Sequence, residues 1–120
     1  MKQGARSAHV DTFTRENLPP RATWPEFLFA LPELQYPPTL NCAAELLDRH
    51  VDAGHGDRRC ILTDTETWTY NELLTRSNQV AWALVDEMGL VPGNRVLLRG
   101  PNNPWLVARR HEGSMSRQGI

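Results

Sequence analysis

Thr69–Leu90 reads TYNELLTRSNQVAWALVDEMGL, and the folding of this stretch decides how everything around it is placed. Its first four residues form a capping box. The Thr69 hydroxyl accepts from the Glu72 backbone N–H while the Glu72 carboxylate accepts from the Thr69 N–H, so two donors orphaned at a helix start are satisfied together. Behind the box Leu73, Leu74, Ser77, Ala81, Leu84, Val85 and Met88 recur at the three/four spacing of an amphipathic helix. Gly89 followed by Leu90 has the form of a Schellman ending.

Upstream of this helix, CILTD (residues 60–64) reads as a short strand with Ile61 and Leu62 buried, DTET as a turn, and Trp68–Thr69 as a second short strand, making a hairpin. Before the GHGDRR loop, Ala43, Leu46, Leu47, His50 and Val51 fall on one helical face. Asn41 is placed as its N-cap and Gly54 as its stop. Downstream, VPGN is a turn and RVLLR (residues 95–99) an inner strand. In GPNN, Asn103 caps a further helix with Pro104 at its first position, and Trp105, Leu106 and Val107 follow. The order helix, two strands, helix, strand, incipient helix predicts an α/β layer with a right-handed crossover.

Residues 1–38 differ in kind. Six prolines punctuate them, yet Trp24, Phe27, Leu28, Phe29, Leu31, Leu34 and Tyr36 bring more apolar surface than a disordered segment carries. The expectation is an irregular arm lying on the body, with one short helix near Pro25–Ala30. Residues 39–108 form the partial α/β unit. Residues 109–120 are polar and without period, an aberrant and disordered tail.

Composition excludes several functions. Thirteen basic against fourteen acidic residues leave a net charge of -1, so no basic field recruits nucleic acid. No run approaches the roughly eighteen apolar residues of a membrane helix, and the N-terminus lacks a secretory signal, which places the chain in the cytoplasm. Cys42 and Cys60 have neither metal-site spacing nor a disulfide framework and read as small, reduced core residues. Lys2 is the sole lysine, so internal lysine chemistry is excluded.

The candidates for chemistry reduce to structural roles. His50 has no second ligand at metal spacing and reads as a hydrogen-bonded structural histidine; His9 and His55 belong to arm and loop. GPNN sits where open α/β sheets place ligands, but a strand-to-helix turn capped by Asn103 accounts for it. Asp57, Arg58 and Arg59 form a solvated charged loop. No phosphate loop, GxSxG or HExxH is present.

The strings HVDTFTRENLPP, WPEFLFALPELQYPPTLNCAAELLDRHV, WTYNELLTRSNQVAWALVDEMGL and VPGNRVLLRGPNNPWLVA, from His9 to Ala108, closely resemble the opening of AMP-forming acyl/aryl-CoA ligases of the adenylate-forming superfamily, in the branch of 2-aminobenzoate-CoA and benzoate-CoA ligases. The resemblance implies an incomplete N-terminal piece of that enzyme's large domain. The parent reaction uses ATP, Mg²⁺ and coenzyme A to convert an aromatic acid to its acyl-CoA through an acyl-adenylate. In that family the triphosphate loop, the adenine, ribose and Mg²⁺ contacts and the carboxylate-binding lysine all lie downstream, so no catalytic, cofactor-binding or metal residue is carried onto this sequence. The expected chain is a truncated ligase segment, inactive alone and without a cofactor of its own. The alternative is an interaction module that complements a separately encoded remainder. The tail agrees with a shift of reading frame: back-translating Arg110-His111-Glu112-Gly113 one nucleotide later allows Val-Met-Lys-Ala, as the family places there. Sequencing the gene beyond this point tests the idea, which fails if no ligase-like frame continues.

Overall fold

In the computed structural model, residues 8–37 and 39–110 are described. Of the tail expected over residues 109–120, Arg109 and Arg110 instead end a helix, and residues 111–120 lie outside the described ones, as does Lys2. Asn41 caps the first long helix, its side-chain oxygen accepting from Ala44 N–H at 3.1 Å. That helix contains two π-helical stretches, Ala44–Asp48 and Val51–His55, and turns out of helical conformation at Gly54 with φ +79°. The wider turns shift its buried face. Ala43, Leu47 and Asp48 point inward, whereas Leu46, expected inside, is exposed.

Strands β1 (Arg59–Leu62) and β2 (Thr67–Thr69) pair antiparallel, with Ile61 opposite Trp68. The pairing is irregular between Arg59 and Ile61. Only one of two successive side chains in a strand faces the core. Ile61 takes that side, and Leu62 is 66% exposed, which corrects its expected burial.

Helix α2 begins at Tyr70, runs to Trp82 and continues through a π-helical turn at Ala83–Glu87. The capping box forms as expected: Thr69 N–H donates to Glu72 Oε2 at 2.8 Å, and Glu72 N–H to the Thr69 hydroxyl at 3.3 Å. Leu90 N–H closes on the Leu84 carbonyl and Gly89 N–H on that of Val85, with Gly89 at φ +67°. This is a Schellman-type ending widened by one residue, in keeping with the π-turn before it. Of the expected apolar face, Leu73, Ser77 and Leu84 are buried and Met88 is exposed.

Helix α3 (Pro104–Arg110) packs against α2. Asn103 caps it, accepting from Leu106 N–H at 3.1 Å, and Pro104 takes the first turn. The core is Leu47, Trp68, Leu73 and Ala108, with Cys60, Ile61, Tyr70, Leu74 and Val107 against it.

Two expectations are overturned. Arg95–Arg99 forms no strand, and the sheet of the described residues contains only the hairpin, so the crossover does not form there. A strand exists only through a ladder partner, and here none is present. Pro25–Ala30 is not helical either. Phe27 and Phe29 stack at 5.8 Å, an i,i+2 contact that an extended chain permits and a helix forbids. Pro32 further drives Leu31 to extended backbone (ψ 139°). Tight 3₁₀ turns at Arg21–Thr23 and Pro32–Leu34 flank the segment, and a single helical turn, α1 (Phe13–Glu16), precedes it.

The arm meets the body at the VPGN turn. Val10 and Asp11 N–H groups donate to Pro92 O at 2.8 and 3.0 Å, Asn94 Nδ2 donates to Asp11 Oδ2 at 2.9 Å, and Arg95 lies 3.9 Å from that carboxylate. The Arg95 guanidinium also sits 4.1 Å over the Phe13 ring.

Candidate functional site

The start of α2 gathers polar and aromatic groups from three elements. Trp68, just before the cap, and Leu73, four residues after it, are both buried in the core cluster, the pairing of a hydrophobic staple. The Trp68 ring meets Trp105 of α3 edge-on at 5.4 Å. Arg76, two turns into α2, lays its guanidinium 4.0 Å over Trp68 and 5.1 Å over Trp105. Trp68 Nε1 donates to Glu66 Oε2 at 2.9 Å. An open groove of about 440 Å³, lined by Asn71, Glu72, Thr75, Arg76 and Gln79, runs along the outer side.

Four of the five side chains lining this groove are already engaged, Thr75 donating its hydroxyl to Asn71 O at 2.9 Å. The Glu72 carboxyl is held below its ordinary range by the Thr69 backbone N–H, then the Thr69 hydroxyl, with the Arg76 charge adding to them. It is therefore an ionised acceptor at neutral pH and not a proton donor. Asn71 donates from Nδ2 to Asp57 Oδ1 at 3.0 Å and from its backbone to Gly56 O at 2.9 Å, clasping the loop to the helix start. A Cβ at Gly56 would collide with the Asn71 side chain.

The residues that the sequence singles out are dispersed. His50, expected as a hydrogen-bonded residue on the apolar face, is exposed and stacks on Tyr70 with ring centroids 5.0 Å apart. His9 is exposed in the arm and His55 half-buried in its loop. Asn103 of GPNN is used as the α3 cap. Asp57 is not merely solvated, because it receives the Asn71 amide. Cys60 is half-buried, its thiol 3.4 Å from Trp68 O and pushed up in pKa by burial, whereas Cys42, expected in the core, is exposed. Both thiols are free. The Arg76 cluster and the Asp11 clasp are not foreseen from the sequence. The only signal of the Arg76 cluster there is a tryptophan before a cap and an arginine two turns after it, and the Asp11 clasp has none.

Two carboxyls give a pH dependence with a fixed sign. Asp11 is lowered by the Phe13 backbone N–H first, then by the Asn94 amide and Arg95. Glu72 is lowered as described above. A carboxyl depressed in the fold stabilises above its unfolded value, here near the ordinary 3.8 and 4.5, and that contribution is lost as pH falls through the folded value. Urea midpoints are therefore expected to fall more steeply from pH 6 to pH 3 in the native chain than in an Asp11→Asn/Glu72→Gln variant. Equal slopes would contradict the assignment.

Residues 47–109, just over half of the chain, match the AMP-binding enzyme family. The match covers the hairpin, α2 and nearly all of α3, and leaves out the arm. Acetyl-coenzyme A synthetase of Mycobacterium tuberculosis (strain ATCC 25618 / H37Rv) is 45% identical over 74 residues, 57% of this chain and 11% of the relative. Benzoate–CoA ligase of Thauera aromatica is 36% identical over 67 residues, 56% of this chain and 13% of the relative. Acetyl-coenzyme A synthetase of Deinococcus radiodurans is 44% identical over 69 residues, 53% and 10% respectively. The chain thus spans about a tenth of the length of these curated relatives. No solved structure matches it at a significant level. Among the described residues no helix is long and apolar enough to cross a membrane.

Proposed function

The chain belongs to the AMP-binding enzyme family, and from that premise we propose that its 120 residues supply opening scaffold of an acyl-CoA ligase, of the branch acting on benzoate or 2-aminobenzoate, and make no acyl-adenylate by themselves. The observation that carries this reading is the structural use of the polar groups around the starts of α2 and α3. Glu72 holds the α2 cap, Arg76 covers two indoles, and Asn103 holds the α3 cap. Catalysis of adenylate formation needs donors and cations aimed at developing phosphate charge. Among the described residues no group of three or more His, Cys, Asp or Glu stands together to hold a metal ion, which supports this reading.

The choice of an aromatic acid rests on the likeness of the arm and of the TYNEL and GNRVLLRGPNNP strings to that branch. The relatives named for acetate keep acetate in the panel. The reading places the chain in the cytoplasm, with ATP, Mg²⁺ and coenzyme A belonging to the parent reaction. Pyrophosphate exchange into ATP, measured on the purified chain with benzoate, 2-aminobenzoate and acetate, is expected to stay at the buffer level. Turnover with any of the three would refute inactivity.

A second reading, complementation of a separately encoded remainder, is favoured by the exposed apolar side chains of RVLLR. Co-expression with a benzoate-CoA ligase lacking its corresponding first segment then restores exchange, whereas a silent mixture removes this reading.

A further inference from the structure

We infer that the arm is a strap latched by a single side-chain amide, that of Asn94, so that closing the VPGN turn, docking the arm and forming α1 are one event. Asn94 Oδ1 accepts from Val91 N–H at 2.9 Å, and its Nδ2 donates to Asp11 Oδ2 at 2.9 Å. The first contact lies inside the turn, where Asn94 N–H also closes on Val91 O at 3.0 Å. The second reaches a residue 83 positions away. Asp11 uses its other oxygen, Oδ1, to accept from Phe13 N–H at 2.9 Å, an Asx turn at the start of α1 (Phe13–Glu16).

The sequence of donors and acceptors along this relay admits one arrangement. Val91 N–H and Phe13 N–H can only donate, the ionised Asp11 carboxylate can only accept, and the Asn94 amide offers one group of each kind. Turning that amide over sets its NH₂ against Val91 N–H and its oxygen against the carboxylate, and both bonds are lost. The orientation that closes the turn is therefore the one that receives the arm, and each event presets the other. The backbone bonds from Val10 and Asp11 N–H to Pro92 O add to docking without this constraint, because Pro92 O accepts whichever way the amide faces. Coupling between two places needs an element with two discrete arrangements that both bias, and the Asn94 amide is that element. Every group of the relay belongs to this chain, so the latch is independent of the ligase reading.

Exchanging the two side chains tests the latch. In Asp11→Asn the new amide keeps its oxygen on Phe13 N–H and so presents NH₂ to the NH₂ of Asn94. In Asn94→Asp the new carboxylate keeps Val91 N–H and faces the Asp11 carboxylate. Arg95, 3.9 Å from Asp11 Oδ2, softens that repulsion, so Asp11→Asn, which adds no charge, is the cleaner single variant. With both substitutions every group is satisfied again: the amide now at position 11 accepts from Phe13 N–H and donates to the carboxylate now at position 94, which accepts from Val91 N–H. Trypsin cleavage of the full chain at Arg15 and Arg21 is expected to accelerate roughly tenfold in each single variant, as for one lost charge-assisted hydrogen bond, and to return to within about twofold of the native rate in Asp11→Asn/Asn94→Asp. Hydrogen exchange read by NMR separates a latch from simple docking. Val91 N–H, which touches no atom of the arm, is expected to exchange faster in Asp11→Asn and to regain its native rate in the double variant. A double variant cleaved as fast as the singles, an Asp11→Asn chain cleaved at the native rate, or Val91 exchange unmoved by Asp11→Asn overturns the latch. None of these outcomes bears on pyrophosphate exchange, so failure here is distinguishable from failure of the ligase reading.

Discussion

Trp68→Ala is expected to unfold the body formed by the opening helix, hairpin, α2 and α3, seen as loss of most of the helical circular dichroism at 25 °C. Trp68 is 2% exposed and sits at the centre of the small core with Leu47, Leu73 and Ala108. Removing a buried tryptophan side chain costs about 3–5 kcal/mol through lost transfer energy and the cavity left behind. The edge-on contact with Trp105 and the Arg76 guanidinium over the ring are lost with it. Each is worth about 0.5–1.5 kcal/mol beyond area burial. Small domains hold only about 5–15 kcal/mol in total, and a core of four buried apolar residues belongs at the low end. Two variants frame the result. Trp68→Phe keeps a ring in the staple and gives up the indole N–H to Glu66, so it is expected to remain folded with a lower midpoint. Trp82→Ala, at a residue 59% exposed, is expected to shift the midpoint by about 0.5 kcal/mol or less. A Trp68→Ala chain with native ellipticity and a native urea midpoint would remove Trp68 from the centre of the fold.

What was legible in the sequence follows from the range of the forces involved. The α2 start, its staple and its Gly89 stop are local: Thr69, Glu72, Trp68 and Leu73 act within one turn, so their identities carry the geometry. The same holds for Asn41 and Asn103, both of which cap where expected. RVLLR failed because a strand is defined by its neighbour, and apolar composition alone does not supply one. Leu46 failed because π-turns displaced the buried face from the three/four rule. Phe27 and Phe29 belong to an aromatic ladder running from Trp24 to Tyr36, and the two-residue spacing of this one pair was available to be read as extended chain. The Arg76 cluster was not legible, since it exists only once α3 lays Trp105 beside Trp68. The Asp11 clasp joins residues at opposite ends of the chain, and no local pattern announces it.

Gly93→Ala is expected to release the arm while leaving the body folded. Gly93 has φ +100°, a conformation that L side chains rarely adopt, and a Cβ there would collide with the Asp11 backbone carbonyl. Strain of this kind costs about 1–3 kcal/mol. The collision is with backbone on both sides, so no rotamer change relieves it. Either the VPGN turn reshapes or Val10–Phe13 withdraws, and both routes break the Val10 and Asp11 hydrogen bonds to Pro92 O and the Asp11 contacts with Asn94 and Arg95. Beyond that clasp the arm exposes Phe27, Leu28, Phe29, Leu31 and Tyr36, and little burial is available to hold it in place. Limited trypsin digestion is expected to cleave at Arg15 and Arg21 at least tenfold faster in Gly93→Ala than in the native chain, because opening the clasp becomes the favoured state. Helical ellipticity from the opening helix, α2 and α3 is expected to persist. Gly54→Ala separates strain from collision: Gly54 is also at positive φ, but a Cβ there meets nothing within 4 Å. That variant is expected to lower the urea midpoint without accelerating cleavage in the arm. Equal cleavage rates in the native and Gly93→Ala chains would show that the arm is held by something other than the VPGN turn.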